Sequence, residues 1–203
     1  HARPEDLVPT IYILSNKVAP DYEEAELGIG DGILVKTISE VFGRSDAHIK
    51  SALASGEARD LGEVALQSRV AQKMLMMPPK LTIAKVFSDM KALSQASGKD
   101  SQKAKKERIQ KMLVASRGEE AKYIVRILQA KLRIGIQVPT VLQALAYAFV
   151  LTQPARGGTP VVPDSRKAEG KLGEAGLETR MCSMEAAVRQ AFSEMPNFDK
   201  LIA

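Results

Sequence analysis

The feature that most constrains the fold of this 203-residue chain is a succession of short segments with helical spacing of apolar residues, each bounded by capping or breaking residues. Residues 82–98 are typical: Thr82 can cap the first turn, apolar side chains recur three and four residues apart, and Gly98 follows. Aromatic residues make up only 4% of the chain, which favours helices packed through aliphatic side chains over a β-sandwich. The spacing predicts helices at about 4–18, 31–42, 45–56, 60–76, 82–98, 101–116, 118–130, 139–151 and 177–194.

The composition changes between the last two of these segments. Residues 152–176 are rich in proline, glycine and charge, which predicts a long loop or a partly ordered insertion. No period of roughly 20–50 residues repeats along the chain, so a solenoid is not supported. We therefore predict an all-α fold over residues 1–203, a single irregular multi-helix domain of about nine to ten helices with a long Pro/Gly-rich loop near residues 152–176.

Bulk composition excludes several classes of protein. Apolar residues make up 45% of the chain, enough for a core, and the single cysteine, Cys182, rules out an internal disulfide. The first residues, HARPEDL, lack the apolar core of a signal peptide, and the apolar run at 141–151 is too short to span a bilayer. We expect an intracellular protein. Because the chain starts with His1 and stops within a helical pattern at 197–203, we also expect a piece of a longer chain.

The glycine-rich stretch ELGIGDGILVKT, residues 26–37, raises the question of a nucleotide site. A phosphate-binding loop needs glycine directly before the lysine, but Lys36 follows Val35; the dinucleotide fingerprint also fails, because Ile33 stands where its third glycine would be. Both motifs require a preceding strand, whereas residues 7–18 have helical spacing, although the short run 11–14 is also compatible with a strand. The stretch is therefore interpreted as a turn between two helices, with a small nucleotide-binding enzyme as the discounted alternative.

Positive charge is concentrated in residues 99–135. This segment holds eleven lysines and arginines against four acids, a net charge of +7, whereas the whole chain carries +5. On the predicted seventh helix, Lys122 and Arg126 are four residues apart and share a face. Arg133 would lie on the same side if the helical phase continued past Ala130. Gly135 would then close a turn whose backbone can approach another surface closely.

Such a segment suits the phosphate oxygens of nucleic acid, which lysine, arginine and backbone N–H groups contact. The scarcity of aromatic residues argues against stacking on single strands and favours contact with a duplex backbone. The alternative is a basic face that is only solvated, since lysine and arginine at helical spacing commonly face water. Composition alone leaves both interpretations open.

The order of several segments makes the chain resemble the N-terminal DNA-binding domain of ATP-dependent DNA ligases, in particular eukaryotic ligase I. The resemblance covers most of the chain. It includes PEDLVPTIYIL, ELGIGDGILVKTISEVFGR and LTIAKVFSDMKALSQASG, and it is most specific at EAKYIVR followed by KLRIG. It implies an all-helical domain that grips nicked duplex DNA from the minor-groove side through phosphate and sugar contacts.

The resemblance also implies site residues. Segments matching 129–135 and 98–106 face DNA in the family, and together with the helical pair they give the candidate DNA-binding set Lys131, Arg133, Gly135, Lys122, Arg126, Ser101, Lys103, Lys105 and Lys106. One departure stands out: the family usually has glycine where this chain has Ala130. The chain also starts after the family's first helices, so we expect part of the DNA surface to lie outside it.

No catalytic residue, bound cofactor or metal site is expected in this fragment, because the K-x-D-G-x-R motif that carries AMP in ligases is missing. In a parent ligase, the resemblance implies adenylation and OB-fold domains downstream, with ATP and Mg²⁺ acting there. It further implies two partners: nicked duplex DNA, and a sliding clamp bound through parts outside this sequence. It also implies a nuclear protein that acts in DNA replication, repair and recombination.

A rival from another class is a helical protein-interaction scaffold whose basic face binds an acidic partner or none. Ion pairs from Lys131 and Arg133 to acids within the fold would favour it. The remaining candidates have structural interpretations: Cys182 as core or near-surface packing, Glu119 and Glu120 as acids that stabilise a helix start, and the eight methionines as core filling. Arg69 and Lys73 are noted only as a possible extension of the basic surface.

Overall fold

The structure is a computed structural model that describes residues 4–71, 78–98, 100–151 and 174–202. Within these residues, every regular element is a helix, and the prediction of an all-α fold is confirmed. The ten α-helices of the described residues are α1 (Leu7–Leu14), α2 (Asp31–Phe42), α3 (Asp46–Ala54), α4 (Leu61–Ala71), α5 (Ile83–Gln95), α6 (Ser101–Ala115), α7 (Glu120–Leu128), α8 (Val138–Leu151), α9 (Glu174–Glu194) and α10 (Phe198–Ile202). Short 3-10 helices lie at Pro4–Asp6 and Asp21–Glu23.

Helix boundaries follow local capping signals where such signals exist. Helix α2 runs between the predicted residues and ends at Gly43, whose φ is 69°. The hydroxyl of Ser45 accepts a hydrogen bond from the backbone N–H of His48, and that of Thr82 accepts one from Lys85, each at 3.2 Å. These caps open α3 and α5 where the sequence predicted them. Ser101 is the first residue of α6 and not its cap.

Two helices stop earlier than their apolar pattern predicts. We expected the first helix to reach Val18, but α1 ends at Leu14 because Asn16 takes a left-handed conformation with φ of 56°. Helix α7 ends at Leu128, two residues before the predicted end at about Ala130, which also has φ of 56°. A left-handed residue cannot continue a right-handed helix, so each chain segment turns away at that point.

The helices group into two compact units, which lie within residues 1–134 and 135–203. In the first unit, α2, α4, α6 and α7 bury one large aliphatic core. Its members include Leu34, Ile38, Val64, Ile109, Met112, Leu113, Ile124, Val125 and Leu128. A second cluster forms around Val18, Met90, Ile127 and Leu132. Met90 and Met112 fill core space as expected, whereas Met195, in the other unit, is exposed.

The second unit is built on α8 and α9, with α10 following. Helix α8 buries Val141, Leu142, Leu145 and Ala146. The rings of Phe192 and Phe198 stack with centroids 4.7 Å apart, which packs α9 against α10.

The long loop predicted near residues 152–176 falls mostly outside the described residues, which resume at Glu174. Residues 174–176 are helical and not loop, because α9 begins three residues before the predicted Leu177. Cys182 on α9 is exposed, which contradicts the core alternative of the expected core or near-surface packing. Within the described ranges, no helix has both the length and the apolar content that crossing a membrane requires.

Candidate nucleic-acid interface

Helix α7 ends in a tightly bonded turn, residues 129–133, which we name the basic turn. The backbone N–H of Ala130 donates to the carbonyl of Ile127, and that of Lys131 donates to the carbonyl of Arg126, both at 2.9 Å. These two bonds form a Schellman motif, in which the residue after the C-cap adopts a left-handed conformation and is usually glycine. Ala130 occupies that position, so the departure noted in the sequence falls on a residue whose backbone favours glycine.

The side chains of the basic turn alternate between solvent and core. The Lys131 side chain is exposed, and its ammonium makes no hydrogen bond or ion pair with any residue that the structure describes. Leu132 is buried against Val18 and Met90, which anchors the turn to the second core cluster. Arg133 is again exposed over half of its side chain, at 50%. The turn therefore presents two cations to solvent on a backbone that its apolar residue fixes.

Arg133 is not free, because it shares a carboxylate with Arg126. Asp60, just before α4, accepts from the Arg126 guanidinium at 2.9 Å and from the Arg133 guanidinium at 3.1 Å through the same Oδ2 atom. Its other oxygen, Oδ1, accepts from the backbone N–H of Glu63 at 3.0 Å. The carboxylate of Glu63 lies 3.6 Å from Arg126 and completes a network of two cations and two anions.

Burial alone would raise the pKa of Asp60. The hydrogen bonds from Arg126 and from the Glu63 backbone, with the charges of Arg126 and Arg133, outweigh that effect and hold the pKa of Asp60 below its ordinary value. The carboxylate is therefore charged at neutral pH. Arg126 is itself 10% exposed and fully engaged in this network, so a phosphate could reach it only if the network opened. Its geometry is that of a group that holds α7 to α4.

Gly62 allows this close approach of α4 to α7. A Cβ atom at Gly62 would lie 2.7 Å from the carbonyl oxygen of Lys122 and 2.9 Å from Cγ of Arg126. Such distances are too short for any side chain, so only glycine lets the start of α4 rest on the backbone of α7. Asp60 is thereby brought within reach of both arginines.

The glycine-rich stretch contacts both segments that the resemblance assigns to DNA. The side-chain amide of Gln129 donates to Asp31 Oδ1 at 2.7 Å, which ties the basic turn to the start of α2. The Lys105 ammonium donates to the carbonyl of Leu27 at 2.8 Å, which ties α6 to the same stretch. Because residues 27–31 can extend over at most about 14 Å, these two contacts lie close together. The stretch was predicted to be a turn between two helices. It does connect a 3-10 helix, Asp21–Glu23, to α2, but residues 24–30 form an irregular segment without an assigned turn.

The other predicted residues at the start of α6 differ in exposure. The Lys103 side chain is exposed and has no ion pair or hydrogen bond among the described residues, while Ser101 is partly exposed. Lys105 is buried at 7% exposure and holds the glycine-rich stretch. Lys106 is paired with Glu40 at 2.5 Å. Lys103 is thus the lysine of this group that is open to an anionic ligand.

Lys122 and Gly135 occupy different settings. The Lys122 side chain is 19% exposed, lies 3.9 Å from Glu119 and stands 5.4 Å from the ring centroid of Tyr123. Gly135 is exposed, has φ of 72° and is the first residue of the second unit. The noted Arg69 is buried and donates to the carbonyl of Ser116 at 3.0 Å, whereas Lys73 lies outside the described residues.

Sequence reasoning missed Asp60, Gly62 and the Asp31–Gln129 contact. Asp60 stands three residues before Glu63 at the start of an apolar run, a pattern typical of a helix N-terminus that could have marked it as a cap. Its partner Arg126 is 66 residues away along the chain, and no local pattern indicates that pairing.

Comparison with known proteins identifies the family. The family model described as DNA ligase N terminus matches residues 1–146. DNA ligase 1 of Dictyostelium discoideum is 39% identical over 199 residues, which is 98% of this chain and 16% of that protein. DNA ligase 1 of Arabidopsis thaliana is 38% identical over 98% of this chain and 23% of that protein. DNA ligase 1 of Saccharomyces cerevisiae is 37% identical, also over 98% of this chain, and 24% of that protein is covered.

The chain therefore spans between 16% and 24% of the length of these relatives. The match along residues 1–146 includes α2, α4, the basic turn and the start of α6, the elements whose geometry is described above. The resemblance seen in the sequence is confirmed: this chain belongs to the N-terminal domain family of ATP-dependent DNA ligases.

Proposed function

We propose that this domain binds nicked duplex DNA for a parent ligase that seals the nick during replication and repair. The observation that carries the proposal is Lys131, an exposed lysine without a described partner on a turn whose backbone is fixed by a Schellman motif and a buried leucine. A cation held in this way contacts phosphate without ordering a flexible loop. Because the chain belongs to a DNA ligase family, we propose that the phosphates belong to DNA.

The proposed contacts go to phosphate and sugar from the minor-groove side and carry no sequence preference. Lys131, Arg133 and Lys103 provide the exposed charge in the first unit. Gly135, the first residue of the second unit, is proposed by itself as a backbone contact without a side chain. Ser101 lies at the first turn of α6, where backbone N–H groups favour anions. Lys105, Lys106 and Arg126 support this surface by joining elements that are distant in the sequence. Lys122 contacts Glu119 and Tyr123 beside it in the chain.

The parent chain supplies the chemistry in this proposal. ATP and Mg²⁺ act in adenylation and OB-fold domains outside this sequence, because the K-x-D-G-x-R motif is missing from it. The isolated domain is then a binding module that neither adenylates itself nor joins strands. A nuclear location and a sliding-clamp partner follow for a eukaryotic replicative ligase and belong to the same proposal.

The ion pair of Arg133 with Asp60 is the observation that favours the rival, a protein-interaction scaffold. That rival is favoured if Lys131 and Arg133 are both engaged by acids of the fold, and among the described residues an acid engages Arg133 but not Lys131. Its guanidinium carries five N–H groups, and half of the side chain remains exposed, so a phosphate can bind beside Asp60. We therefore favour DNA.

The test is fluorescence-anisotropy binding of the domain to nicked and intact duplexes across a salt series. The wild-type domain should bind with an affinity that falls with salt, by about 0.9 in log K per phosphate neutralised for each unit of log salt. Lys131→Glu should weaken binding and flatten that slope by about one, and Lys131→Glu/Arg133→Glu should flatten it further.

Lys50→Glu is the matched control. Lys50 is exposed on α3, and its substitution changes the net charge by the same amount at a position outside the proposed surface. If Lys131→Glu and Lys50→Glu reduce affinity equally, the basic turn has no special role and only net charge matters. If the wild-type domain shows no salt-dependent binding, the domain does not bind DNA by itself and the proposal fails for it.

A further inference from the structure

The backbone of the basic turn is strained at both of its ends. Ala130 has φ of 56° and Arg133 has φ of 55°, and neither is glycine. A left-handed conformation is unfavourable for residues with a Cβ atom and persists where surrounding contacts enforce it. The turn therefore needs external contacts to keep its shape, in addition to the Schellman hydrogen bonds at its start.

Two carboxylates from other helices supply those contacts. Asp31, the first residue of α2, accepts from the Gln129 amide at 2.7 Å next to Ala130. Asp60, just before α4, accepts from the Arg133 guanidinium at 3.1 Å. One carboxylate thus holds the first residue of the turn and the other holds its last residue. Lys131 stands between them, with no acid of the described residues on it.

We propose that Asp31 and Asp60 are positioning residues that hold the basic turn in the shape in which it contacts nucleic-acid phosphates. The proposal rests on the proposed function. It means that two acidic residues increase the affinity of the domain for a polyanion. Holding Gln129 and Arg133 before the ligand arrives removes the ordering cost of those side chains, which corresponds to about a two- to tenfold gain in affinity.

The sign of this effect separates positioning from simple electrostatics. A carboxylate beside a phosphate-binding turn repels DNA, so removing it should tighten binding if charge alone matters. Positioning predicts the reverse when the hydrogen-bond acceptor is removed. The two effects can be separated at Asp31, because asparagine removes the charge and keeps an acceptor oxygen, whereas alanine removes both.

The experiment compares Asp31→Ala with Asp31→Asn in the anisotropy assay with nicked duplex DNA. Asp31 is exposed, and both variants lose the same charge at the start of the same helix, so folding and electrostatics are matched. Asp31→Asn should bind at least as tightly as the wild-type domain. Asp31→Ala should bind about two- to tenfold more weakly than Asp31→Asn. Equal affinities of the two variants would overturn the inference.

A double-mutant cycle tests Asp60. Asp60 uses both of its carboxylate oxygens, Oδ1 for the Glu63 N–H and Oδ2 for the two arginines, so asparagine with its single acceptor oxygen cannot keep both sets of hydrogen bonds. If Asp60 acts through Arg133, then Asp60→Asn should weaken DNA binding in the wild-type background and have little effect when Arg133 is already methionine. A general loss of fold would weaken both backgrounds equally, and that result would overturn the role of Asp60. Circular dichroism of each variant checks folding, and if Asp60→Asn does not fold, the Asp31 pair decides the inference.

Failure of this inference is distinguishable from failure of the proposed function. If the wild-type domain shows no salt-dependent DNA binding, both fall, because the inference requires binding. If the wild-type domain binds and Lys131→Glu weakens binding more than Lys50→Glu, the proposed function stands. Equal affinities of Asp31→Ala and Asp31→Asn would then overturn the positioning role alone.

Discussion

Replacing Ala130 by glycine should stabilise this domain, although glycine usually destabilises folded proteins. Ala130 occupies the left-handed position of the Schellman motif with φ of 56°, and the residue is exposed. The left-handed conformation costs a residue with a Cβ atom about 1–2 kcal/mol relative to glycine. No buried contact is lost when the methyl group is removed, so this strain is relieved in full.

The gain is reduced by the unfolded state. Glycine gives the unfolded chain more conformations and so lowers the free energy of unfolding by about 0.4–1 kcal/mol. The difference leaves a net stabilisation of about 0.5–1 kcal/mol, which corresponds to a rise of about 1–4 °C in Tm for a chain of this size. Urea denaturation followed by circular dichroism at neutral pH would measure the free energy of unfolding directly.

Ala104→Gly is the matched control. Ala104 is exposed within α6, where the backbone is right-handed and glycine should cost about 1 kcal/mol. The same chemical change should therefore raise stability at one position and lower it at the other. If both variants are destabilised by similar amounts, the left-handed strain at Ala130 is not a significant part of the domain's stability, and the reasoning from its φ angle is refuted.

The remaining predictions concern the packing and ionisation of the α4–α7 contact. Gly62→Ala should destabilise the domain by about 1–3 kcal/mol because its Cβ would meet the Lys122 carbonyl at 2.7 Å. Gly32→Ala, also at the second position of a helix but with nothing within 4 Å, should be neutral or stabilising in the same urea assay. Asp60→Asn should lower the free energy of unfolding at pH 7 by about 3 kcal/mol, because Arg126 stays buried with only Glu63. The pKa of Asp60 is lower in the folded domain than its ordinary value of 3.8. The extra stability of the wild-type domain over Asp60→Asn is therefore fully present above pH 3.8 and is lost as the pH falls through the lower pKa of the folded state. Urea titrations between pH 7 and pH 2 should show the two proteins converging, and a constant difference would contradict this assignment.

Local signals account for what could be predicted of the fold. Helix α2 was predicted at both ends because a glycine-rich stretch precedes it and Gly43 follows it. The predicted end of α7 was too late for an equally local reason. Alanine stands where glycine normally marks such a helix end. Leu132 then continues the apolar pattern, because its side chain packs in the core after the turn. The spacing of apolar residues indicates which positions are buried. A buried residue that follows a left-handed turn can have the same spacing as a residue in a further turn of helix, so the two cannot be distinguished from the sequence.

The candidate site was predicted less well because its geometry depends on long-range pairs. Lys131 and Arg133 lie on a solvent-facing turn, as the pattern in the sequence suggested. Asp60 is 73 residues from Arg133 along the chain. The residues around Asp60 contain no pattern that predicts its ion pair with Arg133. Spacing on a helix predicts which side chains share a face, but it does not predict which acid from another helix will meet them.

The positive charges of residues 99–135 therefore have two structural roles that composition cannot distinguish: some join segments of the fold, and others remain exposed. Seven lysines and arginines were predicted to face DNA, yet Lys105 and Arg126 are buried and Lys106 is paired with Glu40. These three cations join segments that are distant in the sequence, and each is neutralised or covered by the contact it makes. A polyanion responds to cations that remain exposed, and in the basic turn that condition is met by Lys131 and, in part, by Arg133. The buried arginine brings α4 to α7, and the carboxylate it binds then holds the exposed arginine seven residues later. The same run of positive charge thus builds the support for the surface as well as the surface itself.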